Sequence, residues 1–303
     1  MSRLDGSSEE RDDDRHYDPM RQIEIERLHS YIVNSMLGRM FQSPLHSPRR
    51  MLEVGCSMGV ATCQLGNMFP SAEVIGVDMK LAALPLISSK PANVNLFQGD
   101  IHQLALTEST FAAGSQDFIY SRLVMIEMRE WKGYIQKAFH MLKPGGYLEV
   151  QEEDVDWFID GKSITGEWDW WKFYYGENSL EDFQCAKNAA GWMEAAGFVN
   201  VQVRKYQWPW GNWAANQGHI ETLSLATHVA ANHGAAFLDN LLSLGEVNGY
   251  SYKAIAMLQA ECKRTLEGEG EKYQEFYVTW GQKPLAEHGH GFGDQPHRDL
   301  EGP

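Results

Sequence analysis

The chain has 303 residues, and its 41 acidic against 26 basic side chains give a formal charge of -15; this argues against a nucleic-acid grip, which depends on Lys and Arg neutralising phosphates. With 43% hydrophobic and 12% aromatic residues there is ample material for a core, and the length allows one large domain or two small ones. Cys56, Cys63, Cys185 and Cys262 form no CxxC pair and no zinc spacing, so they read as reduced thiols of a cytoplasmic protein, or a nuclear one if its role is regulatory, with no structural metal.

Residues 1–16 are Ser, Asp, Glu and Arg with almost nothing apolar and read as a disordered tail rather than a signal peptide. No run approaches the length of a membrane span. From Pro19 to Phe41 the positions Ile25, Leu28, Ile32, Met36 and Met40 recur at helical spacing, predicting an amphipathic helix that ends near Gly38. Pro44 and Pro48 then break the chain. Met51-Leu52-Glu53-Val54-Gly55-Cys56-Ser57-Met58-Gly59 reads as an apolar strand entering a glycine turn, followed by a helix over Val60–Met68. Ala72–Asp78 is a second apolar strand ending in a carboxylate about 20 residues after the turn, where a ribose-binding acid sits in a mononucleotide fold. A dinucleotide fingerprint would need glycine at 57 and 60, where Ser57 and Val60 stand, so NAD is disfavoured.

A short helical stretch follows Leu81, then strands over Asn93–Phe97 and Gln116–Tyr120, with Ser121 and Arg122 emerging at the carboxyl end of the latter. Trp131, Tyr134, Ile135, Ala138, Met141 and Leu142 mark a helix that Lys143-Pro144-Gly145-Gly146 stops before a strand over Tyr147–Gln151. A helix from Leu180 to Ala196 ends at Gly197, and strands over Phe198–Val203 and Phe276–Trp280 complete the sheet. Residues 157–181 and 207–268 read as a cap, the second with helices around Ile220–Val229, Phe237–Leu244 and Ser251–Leu266. Eight of the ten tryptophans fall between 157 and 213. They are either an aromatic pocket for a planar or cationic substrate, lined by Trp157, Trp210 and Trp213, or the core of a small cap.

The turn Glu53-x-Gly55-x-Ser57-x-Gly59 resembles the acid-x-Gly-x-Gly-x-Gly turn of class I S-adenosylmethionine methyltransferases, with serine in the middle place. The resemblance implies an α/β Rossmann-like sheet, mostly parallel with an antiparallel last strand, under a helical cap. It implies S-adenosylmethionine as cofactor and S-adenosylhomocysteine as product. Glu53, Gly55, Cys56, Ser57 and Gly59 would face the methionine half. Asp78 would bond the ribose hydroxyls, Met79 would shape the adenosine edge, Asp100 would accept from the adenine amino group and Ile101 would cover the ring. Ser121 and Arg122 lie at the ligand end of the sheet, and Tyr31 would close over the cofactor from the leading helix.

More narrowly, residues 17–284 resemble the LaeA-like methyltransferases of filamentous fungi. The resemblance rests on Glu24-Ile25-Glu26-Arg27-Leu28-His29, Phe69–Asp78, Trp131 before Leu142–Glu149, Ala195-Ala196-Gly197-Phe198 and Trp208-Pro209-Trp210-Gly211-Asn212-Trp213. It implies O- or N-methylation of a small natural product in secondary metabolism. The competing readings are a regulatory binding protein of the same family and a cyclase or pericyclase on the methyltransferase fold. The resulting domain plan is a helix over the cofactor site (17–48), a cofactor core (49–156), a cap segment (157–181), a core helix and strand (182–206), a helical cap (207–268), a last core strand (269–285) and a second disordered tail (286–303). Candidate general bases are His219, His228 and His233 on the cap, and Glu152, Glu153, Asp154 and Asp156 after the fifth strand. That carboxylate run reads more readily as a solvated edge. The expected partner is an aromatic or cationic acceptor, with no nucleic acid, membrane or metal; a homodimer or protein partner is left open.

Overall fold

The computed structural model describes residues 19–81, 90–125, 127–164, 166–176, 183–210, 213 and 249–286. Helix α1 (Pro19–Leu37) ends as expected at Gly38, which takes the left-handed conformation with φ +72°. Then follow β1 (Arg50–Val54), α2 (Val60–Met68), β2 (Glu73–Asp78), β3 (Val94–Gln98), α3 (Ile101–Thr107), β4 (Gln116–Arg122), α4 (Trp131–Met141) and β5 (Leu142–Ile159). The remainder comprises β6 (Lys162–Ser163), α5 (Asp169–Gly176), α6 (Cys185–Ala196), β7 (Val199–Trp210), α7 (Tyr252–Glu267) and β8 (Lys272–Gln282).

The main sheet runs in the order β3-β2-β1-β4-β5-β8-β7, with the short β6 paired to β5. Strands β1 to β5 pair in parallel, and β8 lies antiparallel between β5 and β7. This is the Rossmann-like sheet with a reversed last strand. Both faces of the parallel part are covered, so its strands are apolar almost without alternation: Met51, Leu52, Val54, Val74, Ile75 and Val77 are all buried. From β1 the chain steps outward to β2 and β3, then returns past β1 to β4. That reversal opens a crevice at the carboxyl ends of β1 and β4, where open α/β sheets bind ligands.

Helix α1 is tied down by a polar network rather than by its apolar stripe alone. Glu149 of β5 is fully buried and accepts from Gln42 N at 2.9 Å, Ser43 N and Ser43 Oγ at 2.7 Å, and Gln151 Nε2 at 2.7 Å. Gln151 Nε2 also donates to Met40 O at 3.0 Å. The loop after α1 is thereby sewn to the middle of the sheet, and Ile32, Val33 and Leu37 are pressed into the core.

The structure departs from the expected plan most at the last strands. β5 continues eight residues past the expected end at Gln151, β7 reaches Trp210, and β8 begins at Lys272. Three strands therefore extend beyond the core as one ribbon, irregular in register between Glu153 and Trp157. Lys143-Pro144-Gly145-Gly146, expected as a turn, forms the irregular start of β5, with Leu142 paired to Gln116. The carboxylate run is not a solvated edge. Glu152 and Asp154 are buried, because Lys187 of α6 pairs with Asp154 at 2.8 Å and also with Asp156, while Glu152 finds a backbone donor described below.

Helices α5 and α7 pack together on this ribbon, with Glu261 accepting from Trp170 N at 3.1 Å. Helix α7 coincides with the expected Ser251–Leu266 helix, whereas α3 and α5 were not anticipated. The expected helices around Ile220–Val229 and Phe237–Leu244, most of the stretch after Leu81 and nearly all of both tails lie outside the described residues. Among the described residues no helix is long and apolar enough to cross a membrane.

Candidate cofactor site

The glycine turn after β1 uses every one of its backbone N–H groups. Gly55 N and Cys56 N donate to Val77 O at 2.8 and 3.1 Å, and Gly59 N donates to Cys56 O at 2.6 Å. Ser57 N donates to Asp78 Oδ2 at 2.8 Å, and Met58 N meets both carboxylate oxygens of Glu26 at 3.3 Å. The turn is thus joined to β2 through its first half and bracketed by two acids at its centre. Gly55 is required twice over: its φ is +78°, and an added Cβ would lie 2.1 Å from Val124 Cγ1. Ser57, standing where the resembled turn has glycine, also adopts a positive φ of 45°. That costs about 1 kcal/mol for a residue with a Cβ, offset in part by the charge-assisted bond to Asp78.

Asp78, half-buried at the end of β2, also accepts from Lys80 N at 2.9 Å. Asp100 caps α3 by accepting from His102 N at 2.8 Å. The sheet brings Gly55, Ser57, Gly59 and Asp78 to one crevice, and Asp100 follows the neighbouring strand β3. Ile101 is buried in the core cluster, and Met79 and Tyr31 are exposed at 63% and 46%.

Other expected contacts belong to the support rather than to the crevice. Glu53 is buried, and Thr62 Oγ1 of α2 donates a short hydrogen bond to its carboxyl; it clamps β1 to α2. Cys56 is buried, with its thiol pushed up chiefly by desolvation and further by the charges of Glu53, Asp78 and Glu26. Ser121 is buried within β4 rather than emerging from it. Arg122 is fully engaged: Nε donates to Gln151 Oε1 at 2.9 Å, and its outer nitrogens donate to Ser30 Oγ, Asn34 Oδ1 and Met40 O at 3.0 to 3.3 Å. It anchors α1.

Burial pushes the Glu53 carboxyl from 4.5 up to about 8, against the opposing bond from Thr62 and the charge of Arg122. A raised carboxyl pKa means that the folded protein binds the extra proton between pH 4.5 and about 8. Its contribution is full below that window and declines as pH rises, by about 1.4 kcal/mol per unit at most. Glu53→Gln keeps an acceptor for Thr62 without the charge. In urea unfolding from pH 5 to 9, the variant gains stability relative to the wild type across the window, and a constant difference would contradict the assignment.

Glu152 accepts from Val124 N at 2.8 Å, and Leu123 N donates to Gln151 O at 3.0 Å. Together they fold the segment after β4 over the glycine turn, which makes Glu152 a positioning group rather than a base. Glu153 differs. Its Oε1 is closed off from solvent without a hydrogen-bond partner among the described residues, and burial pushes its carboxyl up to about 7. His219, His228 and His233 lie outside the described residues.

The tryptophans resolve toward the packing reading. Trp157, Trp170, Trp208 and Trp210 are buried; the Trp157 ring lies 5.0 Å from that of Trp210, 5.6 Å from Trp170 and 5.7 Å from Trp168. Trp210 Nε1 donates to Gln274 Oε1 and Trp213 Nε1 to Lys272 O inside the ribbon, both at 2.8 Å. The pocket expected at Trp157 and Trp210 is therefore filled by their own rings. Trp213 is bonded to the ribbon's edge.

A methyltransferase-domain profile matches residues 26–203, more than half of the chain. The chain belongs to the methyltransferase-domain family. This methyltransferase, with S-adenosylmethionine as its cofactor, is 24% identical over 277 residues to methyltransferase pytC of Aspergillus terreus, covering 88% of this chain and 82% of that protein. It is also 22% identical over 280 residues to the secondary metabolism regulator laeA of Aspergillus fumigatus, covering 88% and 72%. Among solved structures it is similar to phosphoethanolamine N-methyltransferase 2 of Haemonchus contortus, with a TM-score of 0.48 and 18% identity over 86% of this chain and 53% of that one. The residues fit the cofactor at its ribose end: Asp78 stands half-buried at the end of β2, beside a turn whose positive φ angles leave the backbone approachable. Glu26 and Glu153 were not separated from their neighbours by sequence reasoning. Glu26 carries a readable signal, an acid in an amphipathic helix placed just before the cofactor strand.

Proposed function

We propose that the protein transfers a methyl group from S-adenosylmethionine to a hydroxyl or amine of a small natural product in fungal secondary metabolism. The observation that carries this reading is the acid-bracketed glycine turn at the reversal of the sheet, with Asp78 bonded to Ser57 N at its centre; the relatives named above supply the metabolic setting. Bound S-adenosylmethionine supplies an electrophilic methyl on a sulfonium, so the protein's work is alignment and exclusion of water. Asp78 holds the ribose end. The segment after β4, fixed by Glu152, covers the turn.

The test is incubation of the full chain with methyl-labelled S-adenosylmethionine and fractionated fungal metabolites, following S-adenosylhomocysteine and labelled product. Acceptor-dependent release of both supports the proposal. Tight binding of the cofactor with no turnover in any fraction would overturn it in favour of a regulatory role such as the laeA name describes.

A further inference from the structure

We infer that Glu26 of α1 recognises the ammonium of the cofactor's amino-acid end, an inference that rests on the cofactor reading above. Two acids meet consecutive N–H groups at the centre of the glycine turn: Asp78 from β2 at Ser57 N, and Glu26 from α1 at Met58 N. They approach from different elements, 21 residues later and 32 residues earlier in the chain. Asp78 is the acid of the ribose end in the reading above, which leaves Glu26 as the second acid at the turn.

The charge balance says which group it takes. Every N–H of the turn from Gly55 to Gly59 already has an acceptor, so the turn has no donor left for a carboxylate. The charges of Glu26 and Asp78 both act on Cys56 and Glu53. Arg122, whose charge also reaches Glu53, has its guanidinium held by Gln151, Ser30, Asn34 and Met40 O. A crevice rimmed in this way attracts a cation and repels an anion. The ammonium of the amino-acid end is such a cation, and the half-buried Glu26 carboxylate is an acceptor-only anion matched to it.

Helix α1 is built to hold this acid in place. Its later turns are fixed by Arg122 through Ser30 and Asn34, by Asn34 Nδ2 donating to Gln64 Oε1 of α2 at 3.4 Å, and by the buried Ile32 and Val33. Glu26 lies one turn before Ser30, so its position over the glycine turn follows from that anchorage.

The test is calorimetric titration of the full chain and Glu26→Gln with three probes: S-adenosylmethionine, S-adenosylhomocysteine and 5′-methylthioadenosine, which keeps the nucleoside and lacks the amino acid. Loss of one charge-assisted bond predicts roughly tenfold weaker binding of the first two, with the third unchanged. Tighter binding of the amino-acid-bearing probes by the variant would mean that Glu26 merely blocks the turn, and would overturn the inference. So would equal weakening of all three, or no change in any. If the wild type binds none of the probes, the cofactor reading itself fails and this inference falls with it; wild-type binding with an indifferent variant sinks the inference alone.

Discussion

Asp78→Ala weakens S-adenosylmethionine binding by at least about a hundredfold. The reasoning is local. Asp78 stands at the carboxyl end of β2 and is joined by Ser57 N and Lys80 N to the two segments that frame the crevice. In the proposed cofactor site alanine removes the acceptor for a ribose diol, and it takes away the bonds to Ser57 N and Lys80 N. Charge-assisted bonds to two hydroxyls are together worth about 3 kcal/mol, or roughly two decades in affinity. Calorimetric titration measures the loss, and thermal unfolding of the variant checks the fold. Asp78→Asn, which keeps one carbonyl acceptor for Ser57 N, binds with intermediate affinity. Undiminished binding by Asp78→Ala would remove the residue from the cofactor site altogether.

Glu149→Leu destabilises the protein by about 4 kcal/mol, through a mechanism unrelated to the cofactor. The substitution fits the volume but leaves Gln42 N, Ser43 N and Ser43 Oγ without their acceptor inside the protein. Each unsatisfied buried donor costs about 1–3 kcal/mol, and partial relaxation of the loop recovers some of it. Burial alone raises the Glu149 carboxyl above its usual range, so the ionised group is not itself a source of strong stabilisation; the cost lies in the donors left behind. Urea unfolding at pH 7 reads the effect, with Glu149→Gln showing a smaller loss. A loss below about 1 kcal/mol would show that the loop after α1 re-satisfies itself with water.

Much of the parallel core was legible because its signals are local. Strands β1 and β2 are short, mainly apolar runs, one entering a glycine turn and the other ending in Asp78, and Val60–Met68 and Trp131–Met141 appear as helices where their spacing predicts. What was misread depends on partners distant in sequence. Glu152 and Asp154 look like a solvated edge until Val124 N and Lys187 are brought to them, and that misreading ended β5 too early. Glu53 carries the first acid of the cofactor turn, yet its carboxyl is taken by Thr62, nine residues on. Arg122 sits at the ligand end of β4, but its partners lie on α1, about 90 residues earlier. The tryptophans were ambiguous for a compositional reason: a ring that lines a pocket and a ring that fills one have the same identity and spacing, and only mutual distances such as the 5.0 Å between Trp157 and Trp210 separate the two.

The ribbon formed by β5, β8 and β7 carries an evolutionary constraint. Its inner halves belong to the core sheet and its outer halves carry the tryptophan cluster, with no linker between the two on any of the three strands. A cap hung on loops can be exchanged between relatives as a cassette, or can swing on a hinge. This one shares its hydrogen-bond ladder with the catalytic sheet, so an insertion of one residue in any of the three strands would turn every outward side chain of the ribbon inward. The tryptophan-bearing floor is therefore continuous with the core in its backbone pairing.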